Sequence, residues 1–320
     1  MGRKVKDLKH PITLDVDITR REDVATLDGF VNTCIAEATD ALRKTPLAGF
    51  SDVDREHIAN LIEGVKHSHG SIRKLLKGDR SAQAVDALAI ARLQLETLYT
   101  TCYLLQASEH IQQFMKYAWK KKYIRFLLGR EEHRNLARFD EYYNSTGLAM
   151  IGQLQKVSNV TDDERKMIDV EELGATFTPM PTVARIPDFP TPGKLLGKLT
   201  DANLKKMLER LYPEYQFLCS FAHGDAESVL FRAVSDPRSK YQSMFSTATI
   251  EDFYQRQVLE QPISYSALRA LQIATEIAAV YPSNIDLAAT AAKAWTFLIQ
   301  YSLYVVPTYE IRAKGILGII

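Results

Sequence analysis

Two sets of residues in this chain have the types and spacing to do chemistry together. Arg92 and Glu96 lie one helical turn apart, so their side chains can meet. They sit inside ALAIARLQLETLY, where Arg92 falls between Leu88, Leu95 and Tyr99. A charge in such surroundings is costly unless it is paired and hydrogen-bonded. The second constellation is Tyr215, Ser220 and His223 in LYPEYQFLCSFAHGD. Ser220 and His223 are three apart and share a helix face. A histidine at the rim of a helical cavity can move a proton as general acid or base. Each set also has a plainer explanation. Arg92 and Glu96 can be an ion pair that fixes helix packing. His223, the last residue before Gly224, can be the cation that meets the negative end of a helix dipole.

Two further groups are weighed the same way. His69 lies on the stripe Ile62, Val65, Ile72 and Leu76 and faces inward, whereas His67 does not. Two histidines two apart on a helix do not hold one metal, so no metal site is expected. His69 is either an extra member of the site or a satisfied core histidine. In KYAWKKKYIRFLLGR, Lys116, Lys120, Lys121, Lys122 and Arg125 alternate with Tyr117, Trp119 and Tyr123. Cations for phosphates and aromatic faces for bases are what single-stranded nucleic acid, RNA included, requires. The same pattern also fits a solvated basic face whose aromatic residues turn into a core. Phosphate loops, HExxH, GxSxG and dinucleotide fingerprints do not occur, and no cofactor is expected.

The elements that must carry these residues are helices, because apolar positions recur at helical spacing and alternating β-branched runs are rare. Helices are expected over about 21–44, 51–77, 81–106, 109–128, 131–157, 201–224, 250–281 with an interruption near Pro262, and 284–306. Pro213 kinks the sixth of these or opens a new helix. The stretch 81–106 is apolar nearly all round, which marks a helix buried on most faces. Residues 173–193 break the pattern with Pro179, Pro181, Pro187, Pro190 and Pro192, five of the twelve prolines. This segment reads as an extended loop inserted in the fold. The expected architecture is therefore all-α, a multi-helix bundle with a long proline-rich loop. Residues 1–20 read as a basic, disordered segment and 21–310 as one helical domain. Residues 311–320 form an apolar tail that docks on the body or on a partner chain, a second copy included.

Composition narrows the class further. The chain has 320 residues, 46% hydrophobic and 25% charged, with net charge +1. That balance supports a core and gives the whole molecule no field for nucleic acid or acidic membranes. Cys34, Cys102 and Cys219 sit in apolar stretches without CxxC spacing, so a reducing, cytoplasmic setting is expected. No apolar run spans a bilayer and no secretory signal opens the chain.

The order of motifs carries a resemblance. HSHGSIRKLLKGDRS leads into the Arg92–Glu96 helix, and much later LYPEYQFLCSFAHGD closes on Ser220 and His223. This resembles, over roughly residues 55–235, a widespread family of uncharacterised, mainly bacterial helical proteins. Its hallmarks are an R-x-x-x-E helix and a later helix ending in a Tyr, Ser and His pattern, with spacing slightly different from that found here. More distantly, the chain is similar to the helical nucleotide-binding superfamily of prokaryotes and higher eukaryotes. Many of those proteins are metal-independent ribonucleases of toxin–antitoxin or antiphage systems. Their signature, an arginine followed a turn or so later by a histidine on one helix, is missing, and Arg130-Glu-Glu-His133 is too short for it. The resemblance implies a shared site with two uses. In a ribonuclease, His223 would be the acid or base, Arg92 would stabilise phosphorane charge, Glu96 would orient Arg92, and the helix 116–130 would hold the backbone. In a non-enzymatic interaction or sensor module, the same residues would be a buried network that fixes packing.

Overall fold

The chain is all-α. The computed structural model describes residues 21–76, 80–133, 136–171, 186–224, 228–229, 261–301 and 305–318. Every regular element among them is helical. Residues 1–20 and most of the proline-rich segment, 172–185, lie outside the described residues, as do the N-terminal part of the expected 250–281 helix and most of the stretch after Gly224. The chain forms two compact units, one built from residues 1–105 and 192–320, the other from 106–191.

The first unit holds α1 (Arg21–Lys44), α2 (Asp52–Leu75), α3 (Arg80–Leu104), the short α8 (Pro192–Leu196), α9 (Ala202–His223), α10 (Gln261–Val280) and α11 (Ile285–Tyr301). A last helical stretch, Val305–Thr308, passes through a π-helical turn at Tyr309–Ala313 into Lys314–Leu317. Local chemistry sets several of these ends. Ser51 and Asp54 form a reciprocal capping box at the start of α2. Asp201 accepts from the Asn203 and Leu204 amides at the start of α9. Gly224 closes α9 with φ +64, a left-handed position that a side chain would strain. Pro213 lies inside α9, and the helix runs through it from Ala202 to His223.

α10 is the hub. It packs on α1, α2, α3 and α11, and every residue from 262 to 278 is buried. Its only charges, Arg269 and Glu276, each have an opposite partner. Arg269 pairs with Glu214 of α9, and Glu276 accepts two hydrogen bonds from Arg312 at 2.9 and 2.7 Å. Arg312 also reaches Asp201 at 2.6 Å. The C-terminal stretch thus lies on the first unit, against α9, α10 and α11, with Tyr309 and Ala313 buried.

The second unit holds α4 (Ser108–Glu132), α5 (Ala137–Asn144), α6 (Thr146–Val157) and α7 (Asp162–Glu171). Its core is Trp119, Tyr123, Phe126 and Leu127 of α4 with Ile151, Val160, Ile168 and Ile186. Trp119 Nε1 donates to the Ile151 carbonyl at 3.2 Å. The helix expected over 131–157 is instead α5 and α6. They are separated at Ser145, whose backbone leaves helical geometry at φ −125, ψ −93 and whose hydroxyl donates to the Glu141 carbonyl. α7 has no counterpart in the sequence reading, although Thr161 and Glu164 form a capping box at its start.

Candidate functional site

Arg92 on α3 and Tyr215 on α9 meet inside the first unit. The two helices are already joined there, because the buried Tyr99 hydroxyl donates to the Leu208 carbonyl at 2.6 Å. The Tyr99, Tyr215 and Tyr212 rings then follow one another at 6.1 and 5.9 Å. Arg92 Nη2 donates to Glu96 Oε1 at 2.7 Å, and the Tyr215 hydroxyl donates to that same oxygen at 3.0 Å. Arg92 Nη2 also lies 3.4 Å from the Tyr215 hydroxyl, and its guanidinium stands over the Tyr215 ring at 5.5 Å. Arg92 Nε donates to Cys219 Sγ at 3.2 Å.

The electrostatics follow from this closed arrangement. The Arg92 side chain is 16% exposed and that of Glu96 30%. Burial works against the Arg92 charge, but its bonds to Tyr215 and Cys219 and the Glu96 carboxylate hold its pKa above the ordinary arginine value. Burial pushes the Tyr215 phenol up, and the Glu96 carboxylate pushes it further in the same direction. Tyr215 is therefore a neutral donor at physiological pH.

Three of the expected site residues, Arg92, Glu96 and Tyr215, are thus brought together, with Cys219 as an additional member. Cys219 is four residues beyond Tyr215, on the same face of α9. That spacing was the available signal, but a cysteine in an apolar run reads as a small hydrophobe. The other two are placed differently. Ser220 is buried, and its hydroxyl donates to the Phe217 carbonyl of its own helix at 2.7 Å. His223 is exposed at the end of α9, and no hydrogen bond or ion pair joins it to Arg92 or Glu96.

His69 belongs to another network of the first unit. Its Nε2 lies 2.9 Å from Asp28 Oδ1, its Nδ1 2.7 Å from Ser266 Oγ, and Gln94 donates to Ser266 Oγ at 2.8 Å. The residue types are those of a nucleophilic triad, but Ser266 on α10 has 0% of its surface exposed. A nucleophile that no substrate reaches is a structural donor. One proton order satisfies the row: Gln94 to Ser266, Ser266 to His69, and His69 to Asp28, whose carboxylate also accepts from Arg73 at 3.2 Å. Although burial opposes it, these partners hold the Asp28 carboxyl below its ordinary range.

The basic helix α4 lies in the second unit. Lys116 pairs with Glu164 at 2.8 Å. Lys120 is buried beside the Ile186 carbonyl at 3.3 Å and Asp188 at 3.5 Å. Lys121, Lys122 and Arg125 are exposed. Trp119 and Tyr123 are turned into the core, so those aromatic residues are not available to stack on bases.

The chain matches no known family model, no curated protein and no solved structure.

Proposed function

We propose that this protein is a non-enzymatic helical interaction module, in which Arg92, Glu96 and Tyr215 fix α3 against α9. The observation that carries this reading is the shared oxygen. Glu96 Oε1 accepts from both Arg92 and Tyr215, so the arginine charge is spent on its own scaffold. A phosphate-binding arginine presents its donors outward, whereas here Nε and Nη2 both point to α9 or Glu96. The groups needed for proton transfer are also displaced, with Ser220 bonded to Phe217 and His223 out at the helix end.

Substitution of Arg92 tests this directly. Arg92→Ala leaves Glu96 and Tyr215 without their partner and costs about 2 kcal/mol, a fall of roughly 4–8 °C in melting temperature. His223→Ala leaves the melting temperature within about 1 °C, as expected of an exposed residue away from special features. RNA incubated with the wild type stays intact. Cleavage that both substitutions abolish without loss of stability would refute the module.

One observation favours the alternative, a metal-independent ribonuclease of a toxin or antiphage system. Tyr215, Cys219 and His223 recur every four residues along α9, so His223 continues the stripe that Arg92 touches from α3. In that reading a phosphodiester would bridge Arg92 and His223, and the cleavage assay decides it.

A further inference from the structure

Between His110 and Arg130, α4 carries six cations, Lys116, Lys120, Lys121, Lys122, Arg125 and Arg130, and no acid. The fold sorts the first five. Lys116 and Lys120 turn to Glu164 and Asp188. Lys121, Lys122 and Arg125 stay on the outer face at i, i+1 and i+4, exposed and without an ion pair among the described residues. Lys121 stands over the Tyr117 ring at 5.2 Å. Like charges crowded on one face repel one another, and an anion relieves that repulsion.

Aromatic residues of α5 meet α4 one turn beyond Arg125, where a Cβ at Gly129 would collide with the Tyr143 hydroxyl. α5 packs on α4 through Tyr143, whose ring meets Phe126 at 5.3 Å. The His133 ring stacks on Tyr143 at 6.3 Å and lies 4.7 Å from the Phe139 ring. Tyr142 meets Tyr143 edge-on at 5.4 Å. Phe139 and Tyr142, one turn apart on α5, are each 43% exposed. Large aromatic rings left in water beside a run of cations form an interaction surface. The exposed acids Glu132 and Glu141 lie at the aromatic end, so phosphates are favoured over Lys121, Lys122 and Arg125, and uncharged rings over Phe139 and Tyr142.

We propose that this face of the second unit binds single-stranded nucleic acid, with Lys121, Lys122 and Arg125 holding the phosphates and Phe139 and Tyr142 stacking the bases. Charge complementarity selects a polyanion, and exposed rings select one whose bases are unpaired. The assignment deepens the interaction-module reading by naming the partner. It also moves the stacking role from Trp119 and Tyr123, which the core consumes, to α5.

The test is fluorescence anisotropy of the full chain with labelled twenty-nucleotide oligo(U) and oligo(dT), each checked for intactness on a gel. Both probes bind, and the affinity falls with salt at a log–log slope of about 2, the value for three phosphates on a single strand. The variant K121A/K122A/R125A, confirmed folded by its melting curve, binds at least about tenfold more weakly with a slope near zero. F139A/Y142A loses about thirtyfold or more while the slope is unchanged. The proposal is overturned if neither probe binds at about 50 mM salt, or if both variants bind like wild type. It is equally overturned if phosphatidylserine vesicles, and not the oligonucleotides, bind in a way these substitutions abolish. Cut oligo(U) beside intact, bound oligo(dT) would refute the non-enzymatic reading and leave the binding surface standing.

Discussion

Arg92 has three partners, and they differ in what each contributes. Tyr215→Phe keeps the ring under the guanidinium but removes the hydroxyl that donates to Glu96. Its cost is about 1 kcal/mol, half that of Arg92→Ala, because the ion pair to Glu96 survives. Thermal melts of Y215F, R92A and the double variant measure this. The double variant costs less than the sum if the three groups act as one network. A sum equal to the separate costs would mean that Tyr215 and Arg92 do not cooperate. Asp28 carries a pH dependence whose sign is fixed. Its folded pKa lies below its unfolded value, so the stability it contributes is present above the ordinary carboxylate range and is lost as pH falls below about 4. Asp28→Asn removes that contribution. Chemical denaturation at stepped pH shows a flatter loss of stability between about pH 5 and 3 than in wild type. At neutral pH the substitution costs about 1 kcal/mol, a modest figure because the carboxylate is one-third exposed. The polar partners of Asp28 were only partly legible in the chain. The inward position of His69 follows from its stripe, but Ser266 is 197 residues away, and nothing local announces that contact. Arg92 is the opposite case, since a charge inside an apolar run declares that it needs a partner.

At the scale of the element, boundaries were legible where a cap or a breaker states them. Ser51–Asp54, Asp201 and Gly224 begin or end helices through bonds to nearby backbone, and those bonds depend on sequence neighbours alone. α3 and α10 show the limit of that reasoning. α3 reads as apolar nearly all round, yet its Leu93 is half exposed. α10 carries Ser264, Ser266, Gln272 and Thr275, and all are buried. The Thr275 and Ser266 hydroxyls are satisfied from within and across the helix. Thr275 donates to the Leu271 carbonyl and accepts from Trp295, while Ser266 serves His69 and Gln94. Small polar side chains thus let a central helix be surrounded without leaving its hydroxyls unpaired. The prediction at this scale concerns Arg269, which is fully buried against Glu214 and donates to Gln272 at 2.6 Å. Arg269→Met leaves the Glu214 carboxylate buried without its cation, at a cost of about 3–5 kcal/mol. Glu214→Gln combined with Arg269→Met restores part of it, because the stranded charge is gone. If the double variant were no more stable than R269M alone, the cost would come from lost packing.

At the scale of the whole molecule, the chain leaves one compact unit at residue 105 and returns to it at 192. The crossing at 105 has no proline or glycine to mark it, whereas the crossing at 192 falls at the end of the proline-rich segment. The sequence therefore reads as one helical domain with its interruption at the prolines, where the local signal is strongest. Each unit happens to contain one of the two tryptophans, Trp119 in the second and Trp295 in the first, both buried. The variants W295F and W119F therefore make fluorescence a report on one unit at a time. Gly147 on α6 supplies the perturbation. A Cβ there would stand 2.9 Å from the Phe126 ring and 3.1 Å from the Tyr142 carbonyl oxygen, closer than packed carbons tolerate. The backbone oxygen cannot swing away as a side chain would. Gly147→Ala accordingly overpacks the second unit at a cost of about 1–3 kcal/mol. In the W295F background it lowers the unfolding midpoint reported by Trp119 by several degrees. In the W119F background the midpoint reported by Trp295 is unmoved. Equal shifts in both backgrounds would show that the two units unfold as a single cooperative body, and that the division at 105 and 192 is one of geometry alone.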